Sequence, residues 1–259
     1  MQYIIGFLIA LFIALTGVGA GTITVPVLVL FLNVPAAVAV GIGLTFSAAV
    51  KLILVPAQIA RGNVSWRTLG AMLVGGVPGV LLGALLLKNL VGAGASNTLN
   101  AILGAILVCT ATWQILYSFR PMERKNDGQG KRRNRLALLG ALMFPVGAEV
   151  GFSSAGAGAL GSAALLSLTA LEPAQVVGTD ITFGLLVSLL GSGAHWVSFN
   201  HWPHLLMQLV TGGVFGALVG TFLSSRVPRR PLRFALWVCL LILGGRFLFD
   251  SYHVWAATH

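Results

Sequence analysis

Gly75-Gly76-Val77-Pro78-Gly79-Val80-Leu81-Leu82-Gly83 is answered 137 residues later by Gly212-Gly213-Val214-Phe215-Gly216-Ala217-Leu218-Val219-Gly220. The glycines keep their spacing inside sequence that is otherwise almost wholly aliphatic. Sliding the chain on itself by the same offset, without a gap, pairs Gly19-Ala20-Gly21 with Gly156-Ala157-Gly158 and Gly41 with Gly178. It also pairs Thr45-Phe46 with Thr182-Phe183, and Asn63 with Asn200. One register held over so long a stretch makes the chain two copies of one unit. Repeated halves in a membrane protein imply a two-lobed transporter with its substrate site between the lobes.

The membrane itself is read from composition. Only 8% of residues are charged and the mean hydropathy is +0.92, whereas a soluble domain carries about a quarter charged residues. The chain of 259 residues has room for about eight apolar passages of roughly 20 residues. It divides into a first membrane repeat over 1–118, a basic cytoplasmic loop over 119–135 and a second membrane repeat over 136–259, one membrane domain overall. A net charge of +10 would suggest nucleic acid in a soluble protein. Here the basic residues sit at the ends of apolar runs, the usual topogenic pattern, so no nucleic-acid partner is expected. Cys109 and Cys239 lie in apolar segments without CxxC or Cys/His spacing. They read as inert buried thiols, and neither metal nor cofactor is expected. Met1-Gln2-Tyr3 lacks a basic leader, so the first segment reads as a retained membrane element rather than a signal peptide.

The apolar runs fall at approximately 3–32, 34–60, 68–88, 96–118, 136–171, 173–198, 204–225 and 232–250. The first of each set of four is interrupted. Ile4 to Leu15 leads into Gly17-Val18-Gly19-Ala20-Gly21, and Thr22 to Leu32 follows. The second half copies this with Leu136 to Val146, a Gly/Ser/Ala stretch from Gly147 to Gly161, and Ser162 to Leu171. Each piece is about half a membrane thick, which suggests a broken or re-entrant hairpin. If both are hairpins, each half makes an odd number of net crossings and the second is inverted. Arg61, Arg67, the seven basic residues of the loop Arg120–Arg135, and Arg226, Arg229, Arg230 and Arg233 then share one side. The positive-inside rule favours that arrangement, with both termini outside. The expected fold is an all-α polytopic membrane protein of two inverted repeats, each a broken first element plus three transmembrane helices.

Several of these features together resemble the sulfite exporter TauE/SafE family. They are the Gly17–Gly21 stretch followed by Pro26, its second copy at Gly156-Ala157-Gly158, Pro35-Ala36 and Pro173-Ala174 opening the next helix in each half, and the paired Gly-Gly-Val signatures around a basic mid-chain loop. The resemblance spans essentially the whole chain. It departs at Ala159-Leu160, where the second half lacks the proline that Pro26 supplies in the first. It implies transport of a small sulfur-containing anion such as sulfite, thiosulfate or an organosulfonate across a bacterial inner membrane, in a multi-pass protein embedded in the lipid bilayer. A homodimer is left open.

Candidate site residues follow from the chemistry such an anion needs. Unwound backbone in a membrane must be satisfied by protein, water or ligand. A half-helix starting at Thr22 or Ser162 aims free N–H groups and a positive dipole end into the bundle. The substrate-binding set is therefore Thr16, Gly17, Gly19, Gly21 and Thr22 in the first half, with Ser153, Ser154, Gly156 and Gly158 in the second. Close packing by small residues is the plain alternative. Lys51 joins the set: ten residues before Arg61 it lies about 15 Å deep, where a lysine needs an acid, a water cavity or an anion. Glu149 and Asp180 are candidates for coupling or for charge pairing with Lys51. His195 and Arg246 read as interfacial, and Trp66, Trp196, Trp202 and Trp255 as interface anchors. No catalytic residue is expected: Ser153 with His195 would make a serine-hydrolase dyad, but the glycine pattern around Ser153 does not fit. A passive anion channel is the stronger rival.

Overall fold

The computed structural model describes residues 2–16, 20–92, 96–118, 129–155, 158–195, 202–223 and 229–258, and every regular element among them is helical. The first half holds α1 (Gln2–Thr16), α2 (Ala20–Leu32), α3 (Ala36–Ala60), α4 (Trp66–Gly92) and α5 (Ser96–Ser118). The second holds α6 (Gln129–Ser153), α7 (Ala159–Leu168), α8 (Pro173–Ala194), α9 (Pro203–Leu223) and α10 (Arg229–Thr258). Six helices among the described residues are long and apolar enough to cross a membrane: α3, α4, α5 over 98–116, α6 over 134–153, α8 and α9. The chain is a multi-pass membrane protein. α1 and α2 are shorter apolar helices, and α7, with 10 residues, is about 15 Å long.

Glycine decides which helices meet. A methyl group on Gly75, Gly79 or Gly83 of α4 would strike the main chain at Gly140, Phe144 and Ala148 of α6 in turn. The partner positions 212, 216 and 220 of α9 stand likewise against Tyr3, Phe7, and Leu11 with Ala14, on α1. Each half therefore supplies the glycine face that seats the other half's first helix. Both numbers rise together in each series, so α4 and α6 run parallel, as do α9 and α1. Phe183 packs on Gly76 and, at the equivalent place, Phe46 on Gly213. Both rings are fully buried.

At the centre α3 and α8, which occupy equivalent places in the two copies, pack against each other. Leu44 meets Gly191, Ser47 meets Ser188 and Lys51 meets Gly184. One series rises as the other falls, so the pair is antiparallel. Gly104 against Phe247 and Gly244 against Val108 make α5 and α10 antiparallel too.

The break in the second half is shorter than the glycine content suggests. α6 stays helical through Gly147 and Gly151 to Ser153. These glycines serve contact: a methyl on Gly147 would strike Gly76, and one on Gly151 would strike Val80. α6 is parallel to α4, and α4 is parallel to α8, since Gly76 meets Phe183 while Val80 meets Gly191. α7 returns along α8, with Gly161 beside Asp180 and only residues 169–172 between the helices. The chain thus reverses direction between the end of α6 and the start of α7. Cys109 and Cys239 are both exposed on the flanks, where the sequence led us to expect burial; each lies on a helix face turned away from the core.

Candidate functional site

A polar seam runs down the α3–α8 contact in a protein that is otherwise apolar inside. Thr45 Oγ1 lies 2.6 Å from Ser192 Oγ, and Ser47 Oγ lies 3.1 Å from Ser188 Oγ. One turn further on, Lys51 Nζ donates to Ser188 Oγ at 3.5 Å. Lys51 is only 5% exposed, its ammonium set against the bare Cα of Gly184. Any side chain at 184 would fill the space the ammonium uses. A buried ammonium in a membrane domain requires a compensating charge or polar shell, and the Asp180 carboxylate, one turn from Gly184, is the acid whose charge acts on it.

Asp180 also closes the start of α7. Its Oδ2 accepts a hydrogen bond from Ser162 Oγ at 2.6 Å, and the carboxylate abuts Gly161 in the first turn. A negative group at a helix N-terminus is favoured by the dipole and the free N–H groups. The second half therefore carries its own anion at that end. At the repeat-equivalent position the first half has Gly43 and no carboxylate.

The turn at the end of α6 is held by local bonds. Ser153 Oγ donates to the Glu149 carbonyl at 2.9 Å and accepts from Ala155 N–H at 3.2 Å. Ser154 adopts φ +61°, a left-handed conformation that costs a non-glycine residue about 1–3 kcal/mol. Its repeat partner in the sequence is Gly17, a residue type that takes such a conformation without strain. Ser154 lies against Gly21 in the first turn of α2 and beside Gly43 of α3. Its hydroxyl is buried and has no hydrogen-bond partner among the described residues.

The structure thus brings together Gly21, Ser154 and Gly43, and Thr22 and Thr16 are both buried. Thr16 Oγ1 donates to the Phe12 carbonyl at 2.7 Å. Gly158 caps α7. Gly17, Gly19 and Gly156 lie outside the described residues. Glu149 stands apart from Lys51. It lines two lateral cavities of about 560 and 300 Å³, against Leu86, Ile106 and Thr110 on one side and Trp113 and Leu160 on the other. Among the described residues no other charged side chain lines either.

His195 is buried rather than interfacial: its Nε2 bonds to the Gly151 carbonyl at 2.9 Å while its backbone N–H caps α8. That bond and the Ser153–Glu149 bond leave Ser153 and His195 engaged elsewhere, not with each other. Trp66 and Trp202 are both exposed where α4 and α9 begin, as interface anchors would be. The seam residues Thr45, Ser47, Ser188 and Ser192 escape sequence reasoning. Ser47 and Ser188 are not repeat partners, so the register gives no sign that they meet.

Apolar spans in number, a helix reversal between α6 and α7 and a charged seam between equivalent helices fit a membrane transporter. The chain belongs to the sulfite exporter TauE/SafE family, matching it over residues 3–247. It is 27% identical over 212 residues to the "Probable membrane transporter protein YjnA" of Bacillus subtilis (strain 168), covering 79% of this chain and 82% of that one. It is also 24% identical over 222 residues to the "Probable membrane transporter protein YtnM" of the same organism, covering 78% and 67%. No solved structure matches it.

Proposed function

We propose that the protein is a secondary transporter or facilitator for a small sulfur-containing oxyanion, held between two inverted repeats where the helix breaks approach the Lys51 seam. The observation that carries this reading is Lys51 itself, a buried cation between equivalent helices, with hydroxyls above it and an acid one turn beyond Gly184. The family supplies the substrate class. A positive group and hydroxyl donors suit sulfite, thiosulfate or a sulfonate, and none of these residues performs chemistry on the anion. Asp180 balances Lys51 in the empty state. The antiparallel α3–α8 pair and the gathering of thirteen basic residues on one side support the inverted arrangement.

Outward movement of a monoanion from a negative interior is favoured by roughly 2.3 kcal/mol per 100 mV, so export needs no further coupling. Uptake needs a coupled proton or cation, and Glu149, away from the Lys51 charge, is the candidate carrier. The test is flux of labelled sulfite, thiosulfate and a sulfonate in proteoliposomes, with and without a pH gradient. Saturation and counterflow support the carrier, linear flux without counterflow makes it a channel, and no flux of any of the three refutes the reading.

A further inference from the structure

Gln114 on α5 is 5% exposed, yet neither its amide nitrogen nor its amide oxygen has a hydrogen-bond partner among the described residues. Trp237 on α10, 8% exposed, has an indole N–H in the same condition. The register set by Gly104 against Phe247 and Val108 against Gly244 places positions 114 and 237 opposite each other. Gln114 shares a helix face with Leu107 and Ala111, and Trp237 shares one with Leu240 and Phe247. Those five apart from the glutamine form one packed cluster that also contains Ala155, and Ile23 from α2 packs against it. The unpaired polar atoms therefore lie in the α5–α10 contact, whose apolar cluster also reaches Ala155. The 137-residue offset turns this pair into Ser251 and Asn100, and Ser251 Oγ is again buried and unpartnered. The polar pair belongs to the architecture of the repeat.

Buried polar groups in a membrane span are retained where something hydrogen-bonds to them. We infer that Gln114 and Trp237 form a neutral hydrogen-bonding station for the carried oxyanion in the α5–α10 contact. Amide and indole N–H groups suit oxyanion oxygens without adding charge, and the Gln114 carbonyl accepts the O–H of a singly protonated anion such as hydrogensulfite. The inference rests on the transport function proposed above.

The test is saturable sulfite flux in proteoliposomes carrying Trp237→Phe, which keeps the ring packing and removes the N–H, or Gln114→Leu. Loss of one neutral hydrogen bond should raise KM about 2- to 10-fold with the maximal rate within about twofold. Gln114→Leu should unfold no earlier than the unaltered protein in detergent, because an apolar replacement of an unpaired buried amide is neutral or stabilising. Unchanged KM in both variants, or a lower maximal rate at unchanged KM, overturns the station while leaving the transporter intact. Absence of flux of sulfite, thiosulfate and the sulfonate alike in the unaltered protein overturns the function and the station together.

Discussion

A lysine inside a membrane bundle is the costliest residue in the chain, and its surroundings define what its loss would do. Truncating one member of a buried pair leaves an uncompensated charge, at about 3–5 kcal/mol. Lys51→Ala and Asp180→Ala should each lower thermal stability by that order, while the double variant Lys51→Met with Asp180→Asn recovers most of it. Flux per folded molecule should fall about 10- to 100-fold in Lys51→Ala, the worth of one charge-assisted hydrogen bond, and fall less in Lys51→Arg. Wild-type flux in Lys51→Ala would remove the lysine from transport. Ser154 makes the opposite case, since its conformation rather than its charge is the burden. Ser154→Gly should leave the unfolding temperature in detergent nearly unchanged or raise it, because relief of the left-handed backbone offsets the entropy of glycine. Ser154→Val combines a β-branched side chain at positive φ with crowding against Gly21, and should destabilise clearly. Equal melting of both variants would contradict the assigned backbone.

Between elements, the α3–α8 pairing makes a sharp prediction. With Cys109 and Cys239 replaced by alanine, Thr45→Cys with Ser192→Cys should form a disulfide under mild oxidation, because the native side-chain oxygens are 2.6 Å apart. Thr45→Cys with Thr182→Cys, the pair that equivalent helices would bring together if they ran parallel, should stay reduced. Cross-linking of the second pair and not the first would overturn the antiparallel register. The repeat was legible in the sequence because close helix approach tolerates only glycine, so Gly75, Gly79, Gly83 and their partners could not drift. Lys51 and Asp180 stood out because charge is rare in an apolar helix. The length of α6 was not legible. Gly147 and Gly151 look like helix breakers until the neighbouring helix is known, and here they are contact points on an unbroken helix. The burial of His195 was hidden for a related reason: its partner is the Gly151 carbonyl, and a backbone acceptor leaves no mark on the sequence.

At the scale of the molecule, the proposed inverted arrangement has the halves facing opposite ways, which gathers the basic segments on one side. Cysteine tags at the N-terminus and in the basic loop over 119–135 should react with an impermeant reagent from opposite faces of the membrane, because an odd number of crossings separates them in the inverted arrangement and an even number in a plain eight-crossing chain. Labelling of both from one face would mean a plain eight-crossing chain, and thirteen basic residues would then be divided between the two sides.

The seating of α1 on α9 also sets a timetable for synthesis. α1 is complete at Thr16, but its glycine seat is not finished until Leu223. At translation rates of about 5–20 residues per second, the first helix waits on the order of 10–40 s for its partner. α4 likewise waits for α6, so a ribosome that stops after the first half leaves two helices with nowhere to dock. Two halves that look independent on paper can be finished only together, and the nascent chain must be sheltered by the insertion machinery until nearly its last helix has been made.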